Sequence, residues 1–131
     1  MKVLCYVNHF YGASRQFLGK SSRTGREQRL AIVSECLQSL RGLGDVDLRI
    51  CGLDGFALVK PDIFFPQVRE DPTFLIYESI AHMTRFVDDY DYFINVEDDI
   101  LVPRETLDNV VEFDRESLPN DIVIPQSPLS R

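Results

Sequence analysis

The chain has 131 residues, 44% hydrophobic and 27% charged, a composition that fits one soluble globular domain and excludes a disordered tail or a fibrous repeat. Lys and Arg number 14 against 21 Asp and Glu, and the net charge of −7 argues against nucleic acid or an anionic membrane as the main partner. Cys5, Cys36 and Cys51 form no C-x-x-C pair, and no run approaches the roughly 18 apolar residues of a membrane span, so the expectation is a cytoplasmic protein without a transmembrane segment.

Charge is divided unevenly: residues 1–60 carry 9 basic and 5 acidic side chains, residues 61–131 carry 5 and 16. Lys2 to Val7 is short, apolar and β-branched and ends at Asn8-His9, as a buried strand feeding a loop does. Residues 10–23 mix aromatics, Gly and Ser with Arg15, Lys20 and Arg23 and hold no period, which predicts a long loop. Thr24-Gly-Arg-Glu27 matches a capping box, and Leu30, Val33, Leu37 and Leu40 then recur at helical spacing until Gly42 and Gly44. On that spacing Arg26 and Arg29 fall on the exposed side.

Val46, Leu48 and Ile50 alternate with Asp47 and Arg49 in a second strand, closed by the turn Gly52-Leu-Asp-Gly55. Between residues 56 and 70 a third strand is expected at either Phe56–Val59 or Ile63–Phe65, limited by Pro61 and Pro66. Asp71-Pro72 then predicts a helix start, with Ile76, Ile80, Met83 and Val87 on one face. Tyr92 to Val96 is the clearest strand, and it runs directly into Glu97-Asp98-Asp99. Pro103 opens a third helix through Leu107, Val110 and Val111, and Ile122-Val-Ile124 reads as a last strand. Alternating strands and helices predict an α/β fold with a Rossmann-like, mainly parallel sheet, in one domain spanning 1–131.

Ligands of open α/β sheets bind outside the carboxyl ends of the strands, where the acidic triplet falls. Three adjacent carboxylates repel one another, and a hard divalent cation, Mg²⁺ or Mn²⁺, is the natural counter-charge; a solvated acidic turn is the alternative. His9 and His82 have no Cys at ligand spacing, which disfavours zinc. There is no G-x-x-x-x-G-K-[ST] and no G-x-S-x-G. A receiver domain would need acidic residues where Asn8-His9 stands.

The segment Asp91 to Ile100, followed by Leu-Val-Pro-Arg-Glu-Thr-Leu107, resembles the D-x-D region of nucleotide-sugar glycosyltransferases of the GT-A fold, in its E-D-D form. The resemblance implies a metal-dependent transferase or its donor-binding half, with Asp99 touching the metal, Glu97 and Asp98 approaching it through water or the donor's ribose and sugar, and a UDP-sugar as donor. It also implies that base and ribose rest on Val7-Asn8-His9 and on Asp54; Arg85, on the helix before the acidic strand, could face the diphosphate, a solvated helix arginine being the simpler account. A basic cluster of Arg15, Lys20, Arg23, Arg26 and Arg29 could close over the phosphates, surface solvation being the simpler account. The acceptor half would lie in a C-terminal part of the same protein, and no catalytic base can be named. A non-catalytic nucleotide-binding or interaction module is the alternative function.

Overall fold

A computed structural model of the chain describes residues 1–12, 25–66 and 74–116. In chain order it contains β1 (Val3–Asn8), α1 (Arg26–Arg41), β2 (Val46–Gly52), β3 (Ile63–Phe64), α2 (Leu75–Met83) continued by a 3₁₀ turn (Thr84–Phe86), β4 (Tyr92–Glu97) and α3 (Arg104–Glu116). The strands form one sheet in the order β3-β2-β1-β4, and every pairing is parallel. This is the mainly parallel α/β, Rossmann-like architecture that the alternation of strands and helices predicts.

Register follows from burial. Every residue of β1 is buried, because the central strand is covered on both faces. Val3, Cys5 and Val7 pack with Ile94 and Val96 against Val33, Cys36, Leu37 and Leu40 of α1 and Leu107 of α3. Leu4 and Tyr6 point the other way, into a second cluster with Cys51, Phe65, Leu75 and Met83. A one-residue slip of β1 would exchange these two sets, so the pairing is fixed. It places Val3 beside Val46 and Tyr92, and at the other end it aligns Asn8 with Cys51 and Glu97 in one row.

Several local expectations change. The residue preceding α1 is Gly25, with no side-chain cap hydrogen bond; Thr24 lies outside the described residues. The buried stripe of α1 is Arg29, Val33, Cys36, Leu37 and Leu40, and Leu30 is exposed. Of the two candidate third strands the structure uses Ile63–Phe64, where Phe65 N–H still reaches Gly52 O at 3.1 Å. In segment 56–59 the Phe56 amide goes to Leu53 O and those of Leu58 and Val59 to the His9 ring. The second helix buries Leu75, Ser79 and Met83 and leaves Ile80 and Val87 exposed, because Ser79 makes a polar contact with the sheet that an apolar side chain could not. The α3 helix starts directly after Pro103. Asp71-Pro72 and Ile122–Ile124 lie outside the described residues, and no helix among those described is long and apolar enough to cross a membrane.

Gly52 ends β2 at a point of close approach. A Cβ there would stand 2.9 Å from both His9 O and the Pro61 ring, so only glycine lets the chain after β1 and the segment before β3 close on the end of β2. The turn that follows uses Gly55 at φ 83°, a conformation disfavoured for other residues.

Candidate functional site

The chain travels from β1 outward to β2 and β3, then returns to the opposite side of β1 for β4. The order reverses between β1 and β4, and the crevice outside their carboxyl ends is the topological switch point where open α/β sheets bind ligands. Asn8-His9 leaves one side of it and Glu97-Asp98-Asp99 the other.

The centre of this end is a buried charged cluster. Asp98 is 2% exposed, Arg29 4% and His9 0%. Arg29 Nη2 donates to Asp98 Oδ1 at 2.5 Å, and His9 Nδ1 lies 2.7 Å from Oδ2. The imidazole tautomer follows from its other nitrogen. Leu58 N–H and Val59 N–H both point at His9 Nε2, at 2.9 and 3.3 Å. Nε2 must therefore accept, so Nδ1 carries the proton and donates it to the carboxylate. Backbone bonds complete the joint, from His9 N–H to Cys51 O at 2.8 Å and from Asp98 N–H to Asn8 O at 3.1 Å.

Burial alone would raise the Asp98 carboxyl, but the His9 hydrogen bond and the Arg29 charge outweigh it and hold the group below its usual range. Asp98 is thus an ionised residue with each oxygen occupied by a side chain of the same chain. It does not turn toward a ligand, and its resemblance-based role beside metal, ribose or sugar gives way to an anchoring one. Glu97 and Asp99, its neighbours on the turn, are both exposed.

Asn8 lies on the opposite face of the sheet and is 7% exposed. Its Nδ2 donates to Asn95 Oδ1 at 2.8 Å, and Asn95 Nδ2 in turn donates to Ser79 Oγ at 3.0 Å. Asn8 Oδ1 is buried without a hydrogen-bond partner among the described residues, an acceptor beside the switch point that such groups ordinarily have satisfied. Asp54 is exposed in the turn after β2, at the same end.

The remaining candidates divide. Val7 is wholly within the core, so its side chain offers a ligand nothing. Arg85 sits in the 3₁₀ turn after α2. The helix runs antiparallel to the strands it connects, and by Thr84–Phe86 the chain has returned toward their amino ends, with Phe86 beside Lys2, Val3 and Val46. Arg85 lines a small cleft of about 280 Å³ with Phe64, Phe65 and His82, away from the acidic triplet. Of the basic cluster, Arg15, Lys20 and Arg23 lie outside the described residues, Arg26 is exposed, and Arg29 is the buried partner of Asp98. Arg29 stands one helical turn before Val33 on the buried stripe, and sequence reading misses it because its charge marks it for solvent, while the carboxylate that allows its burial lies on a distant turn.

Among the described residues no three His, Cys, Asp or Glu side chains come together as a cage for a metal ion. Asp99 and Glu97 are exposed hard oxygen donors, the side-chain type that Mg²⁺-class ions use together with phosphates and water.

Compared with known proteins, the chain matches no family model, no curated protein and no solved structure. The fold and the site therefore define an α/β, Rossmann-like domain with a charged crevice at its switch point.

Proposed function

We propose that the chain is a metal-dependent glycosyltransferase, or the donor-binding half of one, that takes a nucleoside diphosphate sugar, a UDP-sugar first among them. The observation that carries the reading is the position of Asn8-His9 and Glu97-Asp98-Asp99 on the two sides of the β1/β4 switch point, with Asp98 sequestered inward and its two acidic neighbours exposed. In this reading Asp99 holds Mn²⁺ or Mg²⁺ jointly with the diphosphate, Glu97 faces the ribose or sugar, and Asn8 Oδ1 accepts from a ligand N–H or O–H. Asp54, one strand over, reaches the base. The bound cation would neutralise charge on the departing diphosphate. His9, Arg29 and Asp98 keep the turn bearing Glu97 and Asp99 in place without touching the donor. Three buried free thiols support the expectation of a reducing, cytoplasmic compartment.

Calorimetric titration with UDP, with and without Mn²⁺, tests the reading. Affinity at least about tenfold higher with the metal, or about 1.4 kcal/mol, is expected. Absence of binding, or equal affinity without metal, would remove it. Hydrolysis of UDP-sugar by the same protein distinguishes a transferase half from a module that only binds.

A further inference from the structure

The His9 side chain joins the segment after β2 to the acidic turn after β4. One edge of its ring takes the amides of Leu58 and Val59 on Nε2, and another gives its Nδ1 proton to Asp98. The segment it holds, residues 53–59, is not part of any strand or helix. It carries Asp54 and turns at Leu53–Phe56 through Phe56 N–H to Leu53 O at 3.3 Å. Its amides at 58 and 59 bond to a side chain where a strand would bond to backbone. Asp98 is in turn clamped from α1 by Arg29. A neutral imidazole with both nitrogens committed has no capacity left to bind a ligand, and total burial keeps ligand away from it.

We propose that His9 is a positioning residue that fixes the Leu53–Val59 segment and the Glu97–Asp99 turn in one register, so that the two sides of the crevice are set together. The inference rests on the functional reading above for its ligand, but its structural half stands without it. Two substitutions divide the roles of the ring. His9→Asn places an amide N–H near the position of Nδ1 and removes the acceptor for Leu58 and Val59. His9→Gln places an oxygen near the position of Nε2 and removes the donor to Asp98. Arg29 still balances Asp98 in both variants, so neither leaves a buried charge unpaired.

The experiment is residue-resolved amide exchange on the 131-residue protein, paired with titration of UDP in Mg²⁺. In His9→Asn the amides of Leu58 and Val59 should exchange at least about tenfold faster while those of Val7 and Ile94 stay at the wild-type rate, since only a local opening has been created. His9→Gln should keep Leu58 close to wild type. Unchanged exchange at 58 and 59 in His9→Asn, or uniform acceleration across the strands in either variant, would overturn the proposal, the second because it marks a merely structural role. If both ends must be held, UDP affinity in Mg²⁺ should fall by a similar factor, about tenfold, in both variants, with no correlation to their melting temperatures. Wild-type affinity in both would overturn the coupling while leaving the nucleotide site intact. No binding by the wild type would instead overturn the functional reading, and the exchange rates would still decide whether His9 holds the Leu53–Val59 segment.

Discussion

Arg29 on the first turns of α1 and Asp98 after β4, 69 residues apart in sequence, meet at 2.5 Å in a place from which both are almost wholly screened from water. A pair so buried costs much desolvation and repays it only through well-made bonds, so its chief consequence appears when one member is lost. Arg29→Met should destabilise the protein by about 3–5 kcal/mol, because Asp98 would remain as a buried charge short of its partner. The double variant Arg29→Met/Asp98→Asn should recover a large part of that loss, since the Asn oxygen still accepts from His9 and no charge remains. Urea unfolding of the wild type, both single variants and the double variant measures this; a double variant as unstable as the sum of the singles would contradict it.

The same pair sets a pH dependence. With its carboxyl held below the ordinary range in the folded state, Asp98 contributes stability that is complete above the unfolded-state value and is lost as pH falls through the folded one. Melting temperature should therefore drop more steeply with acid in the wild type than in Arg29→Met/Asp98→Asn, with the two curves diverging only at and below the usual carboxylate range. Divergence near neutrality would point to another group.

Asp99→Asn separates site from scaffold. The side chain is exposed, so melting temperature in the absence of ligand should stay within about 0.5 kcal/mol of wild type in free-energy terms. Metal-dependent UDP binding should weaken by about 2–4 kcal/mol, the scale of losing one partner of a concentrated charge. Lower stability with unchanged affinity would contradict the assignment of Asp99.

Burial, with a contribution from the neighbouring Cys36 and Cys51 thiols, pushes Cys5 up to about 12. Burial and Asp62 do the same to Cys51, also to about 12, and burial raises Cys36 to about 11. Thiolate is the reactive form, so native protein at pH 8 should resist iodoacetamide at all three positions and take up three alkyl groups once denatured. Intact-mass spectrometry reads both states, and fast native labelling of any one cysteine would contradict the packing.

How much of this was legible in the sequence depends on whether the cause is local. Lys2 to Val7 and Tyr92 to Val96 are short, largely apolar runs whose length and β-branching suffice to mark parallel strands, but only β1 is buried throughout; β4, at the end of the strand order, alternates buried Ile94 and Val96 with exposed Phe93. The placing of Glu97–Asp99 at a carboxyl end follows directly from the second run. Pro61 and Pro66 confine the third strand, but choosing Ile63–Phe64 over Phe56–Val59 required His9 Nε2, which takes the amides of Leu58 and Val59. The errors on the helices share one origin. Periodicity assigns Leu30 and Ile80 to the core, whereas the structure buries Arg29 and Ser79, because Asp98 and Asn95 offer them partners from across the sheet. Arg85 is exposed beside Phe64 and Phe65 at the β3 edge, the opposite edge of the sheet from β4, in keeping with a solvated helix arginine and not with one that faces a diphosphate beside the acidic turn.

Mapping amide chemical shifts during titration of Mg²⁺ and UDP into ¹⁵N-labelled protein tests the proposed nucleotide site at the β1/β4 switch point. The largest changes should gather at Asn8-His9, Leu53-Asp54 and Glu97–Asp99. A larger open cleft of about 880 Å³ lies at the opposite end of the sheet, lined by Lys2, Asp45, Asp47, Asp89 and Tyr90, and its Asp47 already bonds Tyr90 and Arg49. Shifts concentrated there, or none at either end, would contradict the account.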